Sequence, residues 1–104
     1  MNIQINTDHT IDGSAGLKAH VESVVESSLG RFEQHITRVE VHLTDENGNK
    51  SGTDDKRCMM EVRMQGQHPS AVTHHAGTVD DAVEGAAEKL KRSVESTLGK
   101  LRDR

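Results

Sequence analysis

Between residues 79 and 101 the apolar residues Val79, Val83, Ala86, Ala87, Leu90, Val94, Leu98 and Leu101 recur every three or four positions. That spacing lines one face of an α-helix, and a stripe this long needs a broad apolar surface to lie on. Thr78, followed three residues later by Asp81, marks the start as a capping-box variant with Asp in place of the usual Glu or Gln. The surface beneath the helix must come from a chain of only 104 residues, the size of one domain, so residues 1–104 are expected to form a single unit. With one Phe, no Tyr and no Trp, its core has to be built from Val, Leu, Ile, Met and Ala. Such a core is thin, and modest stability is expected.

The rest of the chain supplies that surface as short alternating segments. In "NIQIN", Ile3 and Ile5 alternate with polar neighbours, the period of a half-buried strand. From Ser14, a candidate N-cap, the residues Leu17, Val21, Val24, Ser28 and Phe32 fall on one side of a first helix that Gly30 frays or ends. "TRVEVHL" alternates again, with Val39, Val41 and Leu43 facing one way and Arg38, Glu40 and His42 the other. Residues 44–56 carry no apolar side chain and read as a long, solvated hairpin loop. "RCMMEVRM" places Cys58, Met60, Val62 and Met64 on one face, and "AVTHH", after Pro69, forms a short strand suited to an edge. The order β-α-β-β-β-α predicts an α+β fold: a four-stranded sheet with both helices packed on one face and the other face left to solvent.

Charge is distributed unevenly along this chain. Residues 1–88 hold 15 acids against 7 Lys or Arg, whereas residues 89–104 hold 6 Lys or Arg against 2 acids. A basic pole on an acidic body can draw a polyanion to one end although the net charge of −4 repels it. The simpler alternative is that cations in the last turns merely favour the negative end of the helix dipole. Around Leu90, Lys89 and Lys100 lie on one flank of the helix, Lys91 and Arg102 on the other, and Arg92 at the back.

Other chemistry finds little support in the residues. Cys58 shares its face with Met60 and Val62 and reads as a small core residue, not a nucleophile. His68, His74 and His75 lack the spacing of a metal site, and adjacent His74 and His75 on a strand point to opposite faces. The acids of residues 44–56 and of helix one read as solvated charges, and "GSAG" lacks the lysine and strand–helix context of a phosphate loop. No enzymatic activity, cofactor, metal or small-molecule substrate is expected. The chain has neither a secretory start nor a membrane-spanning run, and its lone cysteine agrees with a reducing compartment, so a cytosolic location is expected.

The opening "IQI", the helix start "SAGLKAHVE", "FEQHITRVEV" leading into the second strand, the hairpin, and "DDAVEGAAEKLKRSV" occur in an order that resembles one family across the whole chain. That family is the ribosome hibernation-promoting factors, also called ribosome-associated inhibitors or sigma modulation proteins. The resemblance implies the same β-α-β-β-β-α fold and an inhibitor of translation that occupies the mRNA and tRNA channel of the small ribosomal subunit, without cofactor or catalysis. It implies phosphate-contacting roles for Lys89, Arg92, Lys100 and Arg102, and for Lys18 at the start of helix one. Lys91 and Arg104 join them on charge alone.

This chain departs from the family pattern in ways that weaken RNA contact. Glu22 and Glu26 stand in helix one where members place lysines, Asp80 replaces an aromatic, and Ser96 and Leu98 occupy expected basic positions. Each lost phosphate contact lowers both affinity and its dependence on salt. The length also implies that the C-terminal dimerisation domain of long members is missing. The alternative is a protein-interaction or regulatory module that keeps the fold without ribosome binding and offers an acidic helix one to a basic protein.

Overall fold

The computed structural model describes residues 1–46 and 55–102. Its elements are β1 (Asn2–Thr7), α1 (Ala15–Leu29), a 3-10 turn (Gly30–His35), β2 (Ile36–Asp45), β3 (Lys56–Met64), β4 (Ser70–Ala76) and α2 (Val79–Arg102). The sheet order is β1-β2-β3-β4, with β1 parallel to β2 and the other pairs antiparallel. The expected α+β architecture is therefore present.

Alternation and helical period meet in one core. Val39, Val41 and Leu43 of β2 and Cys58, Met60, Val62 and Met64 of β3 are buried with Val21, Val25 and Leu29 of α1. Ala82, Val83, Ala86, Ala87, Leu90 and Val94 of α2 complete that layer. Both helices thus cover the same sheet face. His20 of α1 lies 3.4 Å from Asp80 of α2, and Arg31, just past the end of α1, lies 2.6 Å from Glu95. The helices accordingly run side by side in the same direction, and α2 continues about two turns beyond its neighbour.

The two helix starts are capped as expected. Ser14 Oγ accepts the Leu17 N–H at 3.1 Å, and Thr78 Oγ1 accepts the Asp81 N–H at 3.1 Å. The stripe of α1, however, differs from expectation. Its buried row is Val21, Val25 and Leu29, whereas Val24 and Ser28 are only half-buried and Phe32 lies in the 3-10 turn. The helix settles on a row spaced four apart and leaves Val24 and Ser28 at the border of the contact.

The hairpin base also departs from a solvated loop, because β2 runs to Asp45 and β3 begins at Lys56. Asp55 is only 5 % exposed, and Lys56 Nζ lies 3.0 Å from its Oδ2 and 3.3 Å from Asp45 Oδ2. The ammonium beside it holds the Asp55 carboxyl below the usual range, which lets a charge stay where apolar residues are absent. The middle of this segment, residues 47–54, lies outside the described residues.

Two irregularities aim the strands. Ile36 and Val39 are both buried although three residues apart, because the β2–β3 register shifts between Ile36 and Arg38, and Thr37 Oγ1 donates to the Arg63 carbonyl at 3.1 Å. Between β3 and β4 the Gln67 N–H donates to the Met64 carbonyl at 3.1 Å, and Gly66 has φ of 74°, a left-handed value that favours glycine.

Packing of β4 under α2 depends on a second glycine. A Cβ on Gly85 would lie 2.1 Å from the His74 ring, so this histidine fills the space of a missing side chain. Gly85→Ala alone should lower stability by about 1–3 kcal/mol through overpacking. In a His74→Ala background the same change should raise stability by about 0.5–1 kcal/mol through helix propensity. Urea denaturation of the four proteins checks this, and an equal effect of Gly85→Ala in both backgrounds would contradict it.

Burial pushes the Cys58 thiol from its ordinary 9.0 up to about 12. Above pH 9.0 the unfolded chain releases this proton while the native protein keeps it, so stability should fall as pH rises from there toward about 12. Denaturation midpoints for wild type and Cys58→Ala should converge over that range. A constant difference between them would show that the thiol ionises as easily in the folded protein.

Candidate nucleic-acid interface

The docking of α2 decides where its cations point. Lys89 reaches the neighbouring edge strand, its Nζ donating to the Thr73 carbonyl of β4 at 2.9 Å. The bond occupies an edge carbonyl that no further strand covers, which guards the edge as well as placing the charge. Lys100 is exposed on the same flank and has no ion pair among the described residues. Arg92 stands at the exposed back of the helix, its Nε 3.3 Å from Glu88 Oε1 one turn earlier.

The opposite flank faces α1. There Lys91 is half-buried and Arg102 exposed, neither ion-paired among the described residues, with the Arg31–Glu95 pair between them. Lys18 is exposed in the first turn of α1. The structure therefore gathers Lys89, Lys91 and Arg92 on one turn and Lys100 and Arg102 about two to three turns later. Lys18 lies at the far end, roughly 30 Å from Lys100 by helical rise, and does not join either group. Arg104 is outside the described residues.

The open sheet face carries more positive charge, but in neutralised form. Arg38 lies 2.7 Å from Glu40, and Arg63 lies 3.2 Å from Glu61 and 3.9 Å from Glu40. His75 lies 2.7 Å from Glu46, which also meets Arg57 at 3.8 Å, and His42 lies 3.9 Å from Glu40. The Arg38 guanidinium, foremost, holds the Glu40 carboxyl below its usual range, so Glu40 stays ionised in mild acid. His42, expected on this face, is there beside Arg63, but each must loosen a carboxylate to meet a phosphate.

Sequence pattern gave no sign of a groove of about 710 Å³ beneath the end of α2. Phe32, Leu98 and Leu101 line it together with Arg31, His35 and Arg102, and the Arg31 guanidinium lies 4.7 Å from the Phe32 ring centre. It is built by the short "GRFEQH" after α1, whose 3-10 conformation carries Arg31 and His35 toward α2 and leaves no clear period to read in the sequence.

Other candidate chemistry is dispersed. Cys58 is fully buried, His74 faces Gly85, and His75 turns to Glu46 on the opposite sheet face. Among the described residues no group of three or more His, Cys, Asp or Glu is placed to hold a metal ion. Among the same residues no helix is long and apolar enough to cross a membrane.

The fold is shared with solved structures. The N-terminal domain of Protein Y from Thermus thermophilus matches with a TM-score of 0.74 at 18% identity, over 93% of this chain and 99% of that one. A ribosomal subunit interface protein from Coxiella burnetii matches with a TM-score of 0.66 at 17% identity, over the whole of both chains. No curated protein sequence matches the chain. At such identities structural likeness establishes the fold alone, but a sequence-family match spans residues 3–102. That match covers both helices and all four strands, and the chain belongs to the sigma 54 modulation protein / S30EA ribosomal protein family.

Proposed function

We propose that this protein is a cytosolic, single-domain ribosome-binding stasis factor that occupies the mRNA and tRNA channel of the small subunit and so inhibits translation. Family membership supports ribosome association, and the observation that carries the contact is the set of α2 cations without a carboxylate partner among the described residues: Lys91, Lys100 and Arg102. Lys89, bound to a carbonyl and not to an acid, keeps its full charge. Arg92 can exchange Glu88 for a phosphate at small cost, since an exposed pair of this kind contributes only about 0.3–0.5 kcal/mol. Lys18 adds a separate contact at the other end of the helical layer.

The protein's part is binding and obstruction: cations grip ribosomal RNA, and the folded body excludes mRNA and tRNA from the channel. Such a role needs no catalytic group and no cofactor. A protein-interaction role is favoured only by the groove floored by Phe32, Leu98 and Leu101, a surface that suits an apolar partner.

Salt separates the two. The protein should pellet with small ribosomal subunits at low salt and be released as salt rises, and excess mRNA with tRNA should compete with it. A Lys100→Ala/Arg102→Ala variant should bind about tenfold or more weakly and lose about 1.5–2 units of the log–log salt slope. If neither protein pellets at low salt, or if pelleting ignores both salt and the substitutions, ribosomal RNA is not what these cations hold.

A further inference from the structure

We infer that the main path of the polyanion runs along the flank of α2 that faces β4, where Ser96, Ser93, Gln67 and His68 contact its backbone between Lys89 and Lys100, while Lys91 and Arg102 on the other flank touch it only from the side. The inference deepens the ribosome-binding proposal and rests on it. The residues Lys89, Ser93, Ser96 and Lys100 follow a spacing of four, three and four, so they form one continuous row along the helix. Lys89 fixes which way the row faces, because its ammonium reaches Thr73 of β4. Ser93 confirms the direction: its hydroxyl lies 3.0 Å from that of Ser70, the first residue of β4.

Beside this row is a notch of about 150 Å³ whose polar lining is Gln67, His68, Ser70, Ser93 and Thr97. Amide, hydroxyl and imidazole groups can all donate to phosphate oxygens or exchange hydrogen bonds with a ribose 2′-hydroxyl. Lys89 and Lys100 are 11 residues apart, about 16 Å along the axis, which leaves room for two or three phosphates between them.

Absence of competing charge distinguishes this flank. The chain has 17 acids, yet none falls between Glu61 and Asp80, the stretch that supplies the end of β3, the turn and all of β4. The flank toward α1 offers Lys91 and Arg102, but among Asp80, Glu84 and Glu95 of α2 and beside the exposed Glu22 and Glu26 of α1. A phosphate chain laid there meets Glu84, Glu22 and Glu26, with Asp80 and Glu95 tied to His20 and Arg31, whereas the row along β4 itself holds only cations and neutral donors, with Glu88 tied to Arg92 at its rim. Arg92, at the back of the helix, sits on the rim of the favoured flank.

Substitutions of equal charge on opposite sides test the assignment. Ser96 and Ser27 are exposed helical serines, the first on the β4 flank of α2 and the second on α1. Affinity for purified small ribosomal subunits would be measured at fixed salt for Ser96→Glu, Ser96→Lys, Ser27→Glu and Ser27→Lys. We expect Ser96→Glu to weaken binding about tenfold and Ser96→Lys to strengthen it several-fold, with a salt slope steeper by about one unit, while both Ser27 variants stay within about twofold of wild type. The gain from lysine cannot come from misfolding. If wild type binds but the Ser27 pair responds as strongly as the Ser96 pair, or more strongly, the flank assignment is wrong and ribosome binding stands. If wild type itself fails to bind, the underlying proposal fails and this inference falls with it.

Discussion

Burial of one face of α2 against β3 and β4 is the contact on which the remaining architecture depends. Ala82, Val83, Ala86, Ala87, Leu90 and Val94 lie under the helix with almost no exposure, so its rotation about its own axis is fixed. Small residues in the first half allow a close approach, tightest at Gly85 against His74. Once that face is set, the side chains at the back and on the two flanks have no freedom to trade places. The basic end of the chain is thereby held on a rigid rod, with Lys89 turned to the sheet edge and Arg102 to the groove beside Phe32.

Net charge is a poor guide to what such a molecule can bind. A chain at −4 repels a polyanion at long range, but at contact distance the local arrangement decides, because salt screens charges separated by more than about 8–10 Å. Here the arginines of the open sheet face are balanced by Glu40, Glu46 and Glu61, and Arg31 by Glu95. What remains unbalanced is concentrated on α2. The exposed acids Glu22 and Glu26 make the outer surface of helix one unfavourable to a polyanion, and the proposed contact is accordingly at the β4 edge.

Much of this was legible in the sequence because the two periodicities are clean. Val39, Val41 and Leu43 against Arg38, Glu40 and His42 can only be a strand with one dry face, and the stripe from Val79 to Leu101 can only be a helix. In α1 the three-and-four spacing favoured Val24 and Ser28, whereas packing buries Val25 and Leu29 beside Val21, a choice that rests on tertiary contact and not on pattern. The burial of Asp55 was invisible because it depends on Lys56 and on the cross-strand neighbour Asp45, a tertiary arrangement and not a composition. Cation identities could likewise be read, but not their partners: Lys89 with a carbonyl of β4 and Arg92 with Glu88 are facts of three-dimensional placement.

Cryo-electron microscopy of the protein bound to the small ribosomal subunit tests the central claim most directly, since it shows both the site and the face in contact. The account predicts density for the fold in the mRNA and tRNA channel, with the β4 flank of α2 from Lys89 to Lys100 against ribosomal RNA and the Glu22 and Glu26 surface of α1 turned away. Density outside the channel, or α2 facing solvent while the open sheet face or the Phe32 groove makes the contact, would contradict it.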